Sequence, residues 1–167
     1  YPKNIFVAGF IGSPSMNFVY ATVKSSSKGI VLTFGNDKIL SKDAPEALKD
    51  YEGQEIVLGI RPEAFEDSVY ANKKEFSEEL NIDVSLLEQL GSDTYIHFYK
   101  DINPVQTEAI EEILADEGED ISVLGTQTKF IARINPNATI KEGQNINLAI
   151  DPTKLHYFNP ETGLSIT

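Results

Sequence analysis

Cysteine and tryptophan are missing altogether, methionine occurs once, histidine twice, and acidic residues outnumber basic ones 26 to 14. Without cysteine there is no disulfide framework and no thiolate metal site, a composition that suits a reducing cytosol. Two histidines, His97 and His156, have no third ligand at metal spacing, so a zinc centre is not expected. The net charge of −12 leaves no basic stripe to neutralise phosphates, which argues against nucleic acid and against an anionic membrane surface as partners. No apolar run approaches the roughly 20 residues that a membrane-crossing helix needs. Nor does a basic stretch followed by an apolar one open the chain as an export signal would. It begins at Tyr1 without a methionine, and a longer protein is expected.

What remains is ample apolar material: 41% of the 167 residues are hydrophobic, enough for one ordinary domain or two small ones packed together. It is arranged with a period of two. In "ELNIDVSL", Leu80, Ile82, Val84 and Leu86 alternate with Glu79, Asn81, Asp83 and Ser85. In "DTYIHFYK", Thr94, Ile96 and Phe98 oppose Tyr95, His97 and Tyr99, and "NINLAID" repeats the pattern with Ile146, Leu148 and Ile150. Shorter β-branched or aromatic runs stand at "FVYATV", "GIVLTF", "EIVLGI" and "KFIARI". The turn-forming "SSKG", "FGND", "LGSD", "NPNA" and "KEGQ" punctuate the chain. Many short strands with few long helical patterns predict an all-β barrel or sandwich.

Three segments read as helices. "NIFVAGFI" is the end of a helix expected to begin upstream. "DAPEALKDY" offers Asp43 as N-cap with Glu46 three residues on. "VQTEAIEEILADE" puts Ala109, Ile110, Ile113 and Leu114 on one stripe. The surrounding stretch from Asp101 to Gly125 has eight acidic residues and no basic one, and reads as a solvated excursion laid on the barrel.

Motifs of catalysis are wanting. "GFIGSPSM", from Gly9 to Met16, has neither the spacing nor the lysine of a phosphate-binding loop, and lacks the first glycine pair of a dinucleotide fingerprint. Its glycines suit a helix stop, and Pro14 blocks helical continuation. "ADEGED" (Ala115 to Asp120) departs from the calcium-loop pattern and reads as a solvated loop. The "NAT" sequon at Asn137 is idle without secretion, and no pair of carboxylates stands out as an acid–base couple. In "LGIRPE", Arg61 closes an apolar strand before Pro62, and Glu63 lies near enough to pair with it or to cap the next turn. His97 is expected to face solvent, of interest only where that face meets a partner.

"FVAGFIGSPSMNF", "LGIRPE" and "LLEQLGSDTYIHF", in that order, with the closing "EGQNINLAIDPTKLHYFNPETG", resemble one family's C-terminal regulatory region. The family is the ATP-binding subunits of carbohydrate-uptake ABC transporters, of the maltose and multiple-sugar type. The resemblance covers most of the chain. Glu66 to Glu78 and Asp101 to Gly125 depart from it as insertions. It implies small OB-like β-barrels (TOBE or MOP-like), mainly β with short helical insertions. Residues 1–17 would be the linker and helix end leaving a nucleotide-binding domain. Residues 18–167 would be the regulatory β domain, carrying an acidic helical insertion at about 101–125. No Walker A, signature or Walker B sequence is present, so the chain by itself should not hydrolyse ATP; ATP and magnesium would belong to the upstream domain.

The resemblance further implies a cytoplasmic, membrane-peripheral subunit that pairs with its own copy and works with permease subunits. In some members of the family the region also receives regulatory proteins. Arg61, Pro62, Glu63, Tyr95, His97 and Tyr99 are the candidate interaction residues, the last three as an exposed strand face at the dimer or regulator surface. The alternatives come from other classes. A free-standing MOP-like barrel would bind an oxyanion, against which stand the acidic charge and the lack of a Ser/Lys/Asn-rich donor patch. A nucleic-acid-binding OB module would need more cations than the single Lys100 beside "YIHFY".

Overall fold

The alternating segments form strands in a computed structural model that describes residues 2–76, 78–118 and 125–167. Three antiparallel sheets carry the fold. The largest contains β1 (Asn17–Ser26), β2 (Gly29–Phe34), β3 (Asp37–Ser41), β4 (Glu55–Ile60) and β11 (Leu155–Phe158), in the order β11-β4-β1-β2-β3. A second holds β5 (Phe65–Asp67), β6 (Glu78–Asp83) and β10 (Asn145–Ile150), in the order β5-β10-β6. The third is β7 (Leu86–Leu90), β8 (Asp93–Lys100) and β9 (Thr128–Ile134), with β8 in the middle. The chain is mainly β with short helices, as its alternation predicts, and the sheets stay open instead of closing into a barrel.

One core joins the three sheets. Val19, Leu32, Ile39, Leu58, Ile82, Ile96, Phe130, Leu148 and their neighbours are buried together, and Phe98 stacks on Phe130 at 5.2 Å while meeting Phe65 edge-on. Asn17 locks the first sheet to the third. Its amide donates to the carbonyls of Ile60 and Ile131, and its Oδ1 accepts from the Ile131 amide at 2.7 Å. A buried amide with every bond satisfied fixes one mutual position of the sheets and occupies the outer edge of β9.

Helices α1 (Ile5–Phe10) and α2 (Glu108–Asp116) pack on each other over a second, smaller core of Met16, Phe18, Val57, Val105 and Phe158. The acidic stretch is therefore not merely a solvated excursion: Ile110 and Ile113 are buried, and only the opposite face of α2 is acidic and exposed. Gly9 makes the approach feasible, since a Cβ there would stand 2.1 Å from Ile113 Cδ1. Glu119 and Asp120 of "ADEGED" lie outside the described residues.

Three further expectations are corrected. Helix α1 does not run in from upstream but starts at Ile5, where the Asn4 side chain accepts from the Val7 amide. Asp43 caps nothing: Ala44 precedes Pro45 and is held extended, so a 3-10 helix starts only at Glu46. Leu86 leaves the alternation of Leu80, Ile82 and Val84 and is 40% exposed. At that point the chain passes from the second sheet to the third, with the Val84 amide bonded to Gln144 and the Ser85 amide to His97.

Candidate interaction site at the Arg61 corner

Strand β4 is fully buried from Ile56 to Ile60, and the chain then turns sharply outward. Arg61 stays extended, as a residue before proline must, and Pro62 starts a short 3-10 helix ending at Ala64. The Arg61 guanidinium reaches back 50 residues to donate to the Ile11 carbonyl at 2.7 Å. That carbonyl belongs to the C-cap of α1, so the arginine satisfies one of the acceptors a helix end leaves open. Gly12 follows with φ +120°, a conformation suited to glycine, and a Cβ there would sit 3.2 Å from Arg61 Nη1. "GFIGSP" is thus a joint: Gly9 admits α2, and Gly12 admits the arginine.

His156 of β11 lies opposite Gly59 of β4 and joins the same corner. A side chain at 59 would strike Met16 Sδ at 2.4 Å and Phe158 at 3.0 Å. With Arg61, Glu63, Lys3, Lys154 and the apolar Val7 and Ile11, His156 lines an open groove of about 750 Å³. Burial, reinforced by the Arg61 charge, lowers its pKa to about 4, so the imidazole is neutral at pH 7. Lys154 is held by Asp151, whose carboxylate also accepts from the Thr153 amide and hydroxyl. Burial alone would raise the Asp151 pKa; the Thr153 and Lys154 bonds outweigh it, and the net shift is downward.

Of the sequence-predicted residues, Arg61 and Glu63 line this groove, and Pro62 is buried beneath it. Among the described contacts Arg61 bonds to Ile11 and not to Glu63. The other three lie on β8, in a different sheet, and two of them contradict the exposed-face reading. Tyr95 and His97 are each only 7% exposed, while Tyr99 is 42% exposed. Their strand is central, so Arg133 and Glu88 flank Tyr95, while Ile131 and Leu86 flank His97. His97 Nε2 also bonds to Glu88 Oε2 at 2.6 Å. No group of three or more potential metal-ligating side chains occurs among the described residues.

Exposed apolar surface also lies on the third sheet. Among the described residues β7 is an edge strand paired only with β8, and Leu86, Leu87 and Leu90 are 40%, 37% and 52% exposed. The sequence signal was present in "LLEQL", which has leucines where an alternating strand would put polar residues.

Residues 12–65, which run from the end of α1 through β1–β4 to the start of β5, match the MalK OB fold domain. Along 99% of its length the chain is similar to the ATP-binding proteins of sugar import systems. It is 31% identical to the trehalose import ATP-binding protein SugC of Mycobacterium tuberculosis, spanning 99% of this chain and 42% of that protein. It is 32% identical to the trehalose/maltose import ATP-binding protein MalK of Thermococcus litoralis, spanning 99% and 38%. The oligosaccharides import ATP-binding protein MsmX of Bacillus subtilis is 29% identical, over 99% and 38%. The chain therefore spans about two-fifths of the length of the relatives it matches. A solved structure of the molybdate-binding protein ModG aligns with 86% of the chain at TM-score 0.49 and 13% identity, a likeness too slight to inform function.

Proposed function

We propose that the chain is the regulatory and dimerising portion of the ATP-binding subunit of a sugar importer. One observation carries the reading: nearly the whole chain aligns with ATP-binding subunits while accounting for about two-fifths of their length. The ATP chemistry then belongs to the remaining three-fifths. This portion contributes no catalytic group; it keeps two subunits together when their nucleotide sites part after hydrolysis. A contact independent of nucleotide keeps the second subunit at a high effective concentration, so each cycle begins without a new bimolecular encounter.

The β7 edge supports such a contact. A strand edge is normally blunted by charge, proline or a bulge. β7 has none of these except Glu88, which is drawn to His97, and one amide, that of Leu87, bonded to Glu142. The other outer edge, on β9, is taken by Asn17. Tyr99 is the remaining exposed member of the original set, whereas Tyr95 and His97 support β8 from within.

Permease subunits would be met by the whole assembly at the membrane face, and no helix among the described residues is long and apolar enough to cross a membrane. The test is to express the gene product containing this chain. It should hydrolyse ATP and stay dimeric by light scattering after nucleotide is removed. Dissociation to monomers on removal contradicts the holding role.

A further inference from the structure

The groove at the Arg61 corner differs in charge from the rest of the chain. Acidic residues outnumber basic ones 26 to 14 overall, a balance that disfavours anions. Yet Lys3, Arg61 and Lys154 line this groove, against the single carboxylate of Glu63. They come from the approach to α1, the end of β4 and the 3-10 turn before β11, so no local stretch of sequence displays the cluster. Two of the cations are already held in place. Arg61 is fixed by its bond to the Ile11 carbonyl, which engages one of its five N–H donors. Lys154 is held 3.2 Å from Asp151. A ligand that meets positioned cations loses less to side-chain ordering than one that must immobilise free lysines. Val7 and Ile11 add an apolar wall, and a volume of about 750 Å³ lies within the range of small-molecule sites. Phe6 and Phe10 form the other exposed apolar face of α1, at 43% and 46%, and do not line the groove.

We propose that this groove is a binding site for a phosphate monoester of a small hydroxylated molecule, the class to which sugar phosphates belong. Charge selects the phosphate. Three cations against one carboxylate suit an ester carrying about −1.5 to −2 at pH 7 better than a singly charged carboxylate. Size selects the ester, because inorganic phosphate would leave most of the groove empty. The remaining polar groups select hydroxyls. The Glu63 carboxylate accepts only, and Thr153, whose own hydroxyl donates to Asp151, can accept as well. Glu63 also repels a second phosphate at its end of the groove. The walls come from both α1 and the sheet corner, so an occupant ties the first helix to β4 and β11.

The test is hydrogen exchange of the full gene product, read at the amides of α1 and its C-cap, residues 5–11. The probes are glycerol 3-phosphate, glucose 1-phosphate and glucose 6-phosphate, with glucose and inorganic phosphate as controls. At least one ester should slow exchange there threefold or more, saturably. Glucose should have no effect, and inorganic phosphate should need at least tenfold higher concentration. Lys3→Gln/Lys154→Gln should raise the midpoint at least tenfold, both residues being exposed and outside the core. Lys154→Gln alone should raise it several-fold, and it serves where the double variant is unstable. Lys24→Gln, at an exposed β1 position outside the groove, should leave the midpoint unchanged. Three results overturn the proposal: no response to any of the esters, an equal response to glucose or inorganic phosphate, or lysine variants whose midpoint matches the wild type.

Discussion

Arg61 holds the corner together by one charged bond to a helix-end carbonyl, and it also sets the field at His156. Arg61→Met should therefore do two things at once. Stability should fall by about 1 kcal/mol as the Ile11 carbonyl loses its charged donor at a half-exposed site. The His156 pKa should rise from about 4 as a neighbouring positive charge is removed, which NMR titration of the imidazole reads directly. The sign of the pH dependence follows. His156 takes up its proton in the unfolded chain near pH 6.5 but in the folded chain only near 4. Stability is thus undiminished above pH 6.5 and declines as pH falls from 6.5 towards 4. His156→Gln should flatten that part of the urea-denaturation profile, and an unchanged slope there contradicts the assignment. The glycines are equally specific: Gly9→Val puts atoms inside the Ile113 side chain and should cost about 1–3 kcal/mol. Hydrogen exchange should show α2 loosening before the sheets do.

The elements were legible in proportion to how simply each strand is used. Alternation in "ELNID" gave its strand and inward face correctly, because that strand has one face on the core and one towards solvent. In "NINLAI" it gave Leu148 and Ile150 but not Ala149, which the central β10 also buries. It failed at Tyr95 and His97, where a central strand is shielded by long side chains from both neighbours, a condition set by pairings more than 30 residues away. It failed at Leu86, because periodicity within one segment does not register a change of sheet. "GIRPE" marked the right corner, yet the arginine's partner lay 50 residues back and no local spacing pointed to it. The stripe on α2 was visible, and its burial depended on Gly9 of a helix about 100 residues earlier. Thr107 caps α2 by accepting from the Ile110 amide. Thr107→Ala should cost about 0.5–1 kcal/mol and fray the acidic arm, seen as faster amide exchange over residues 108–112.

As a whole, the chain is a strongly acidic body with two weakly charged apolar surfaces, the α1 face and the β7 edge. Two such bodies repel at long range, so pairing through β7 should tighten as ionic strength rises and the Debye length shrinks from about 30 Å at 0.01 M to about 8 Å at 0.15 M. Association through opposite charges would weaken instead. The central claim, that this portion holds two ATP-binding subunits together at the β7 edge, meets its most direct test in sedimentation velocity of the nucleotide-free gene product. The wild type should sediment as a dimer at micromolar concentration, and Leu87→Lys/Leu90→Lys should sediment as a folded monomer. A variant that remains as dimeric as the wild type contradicts the account.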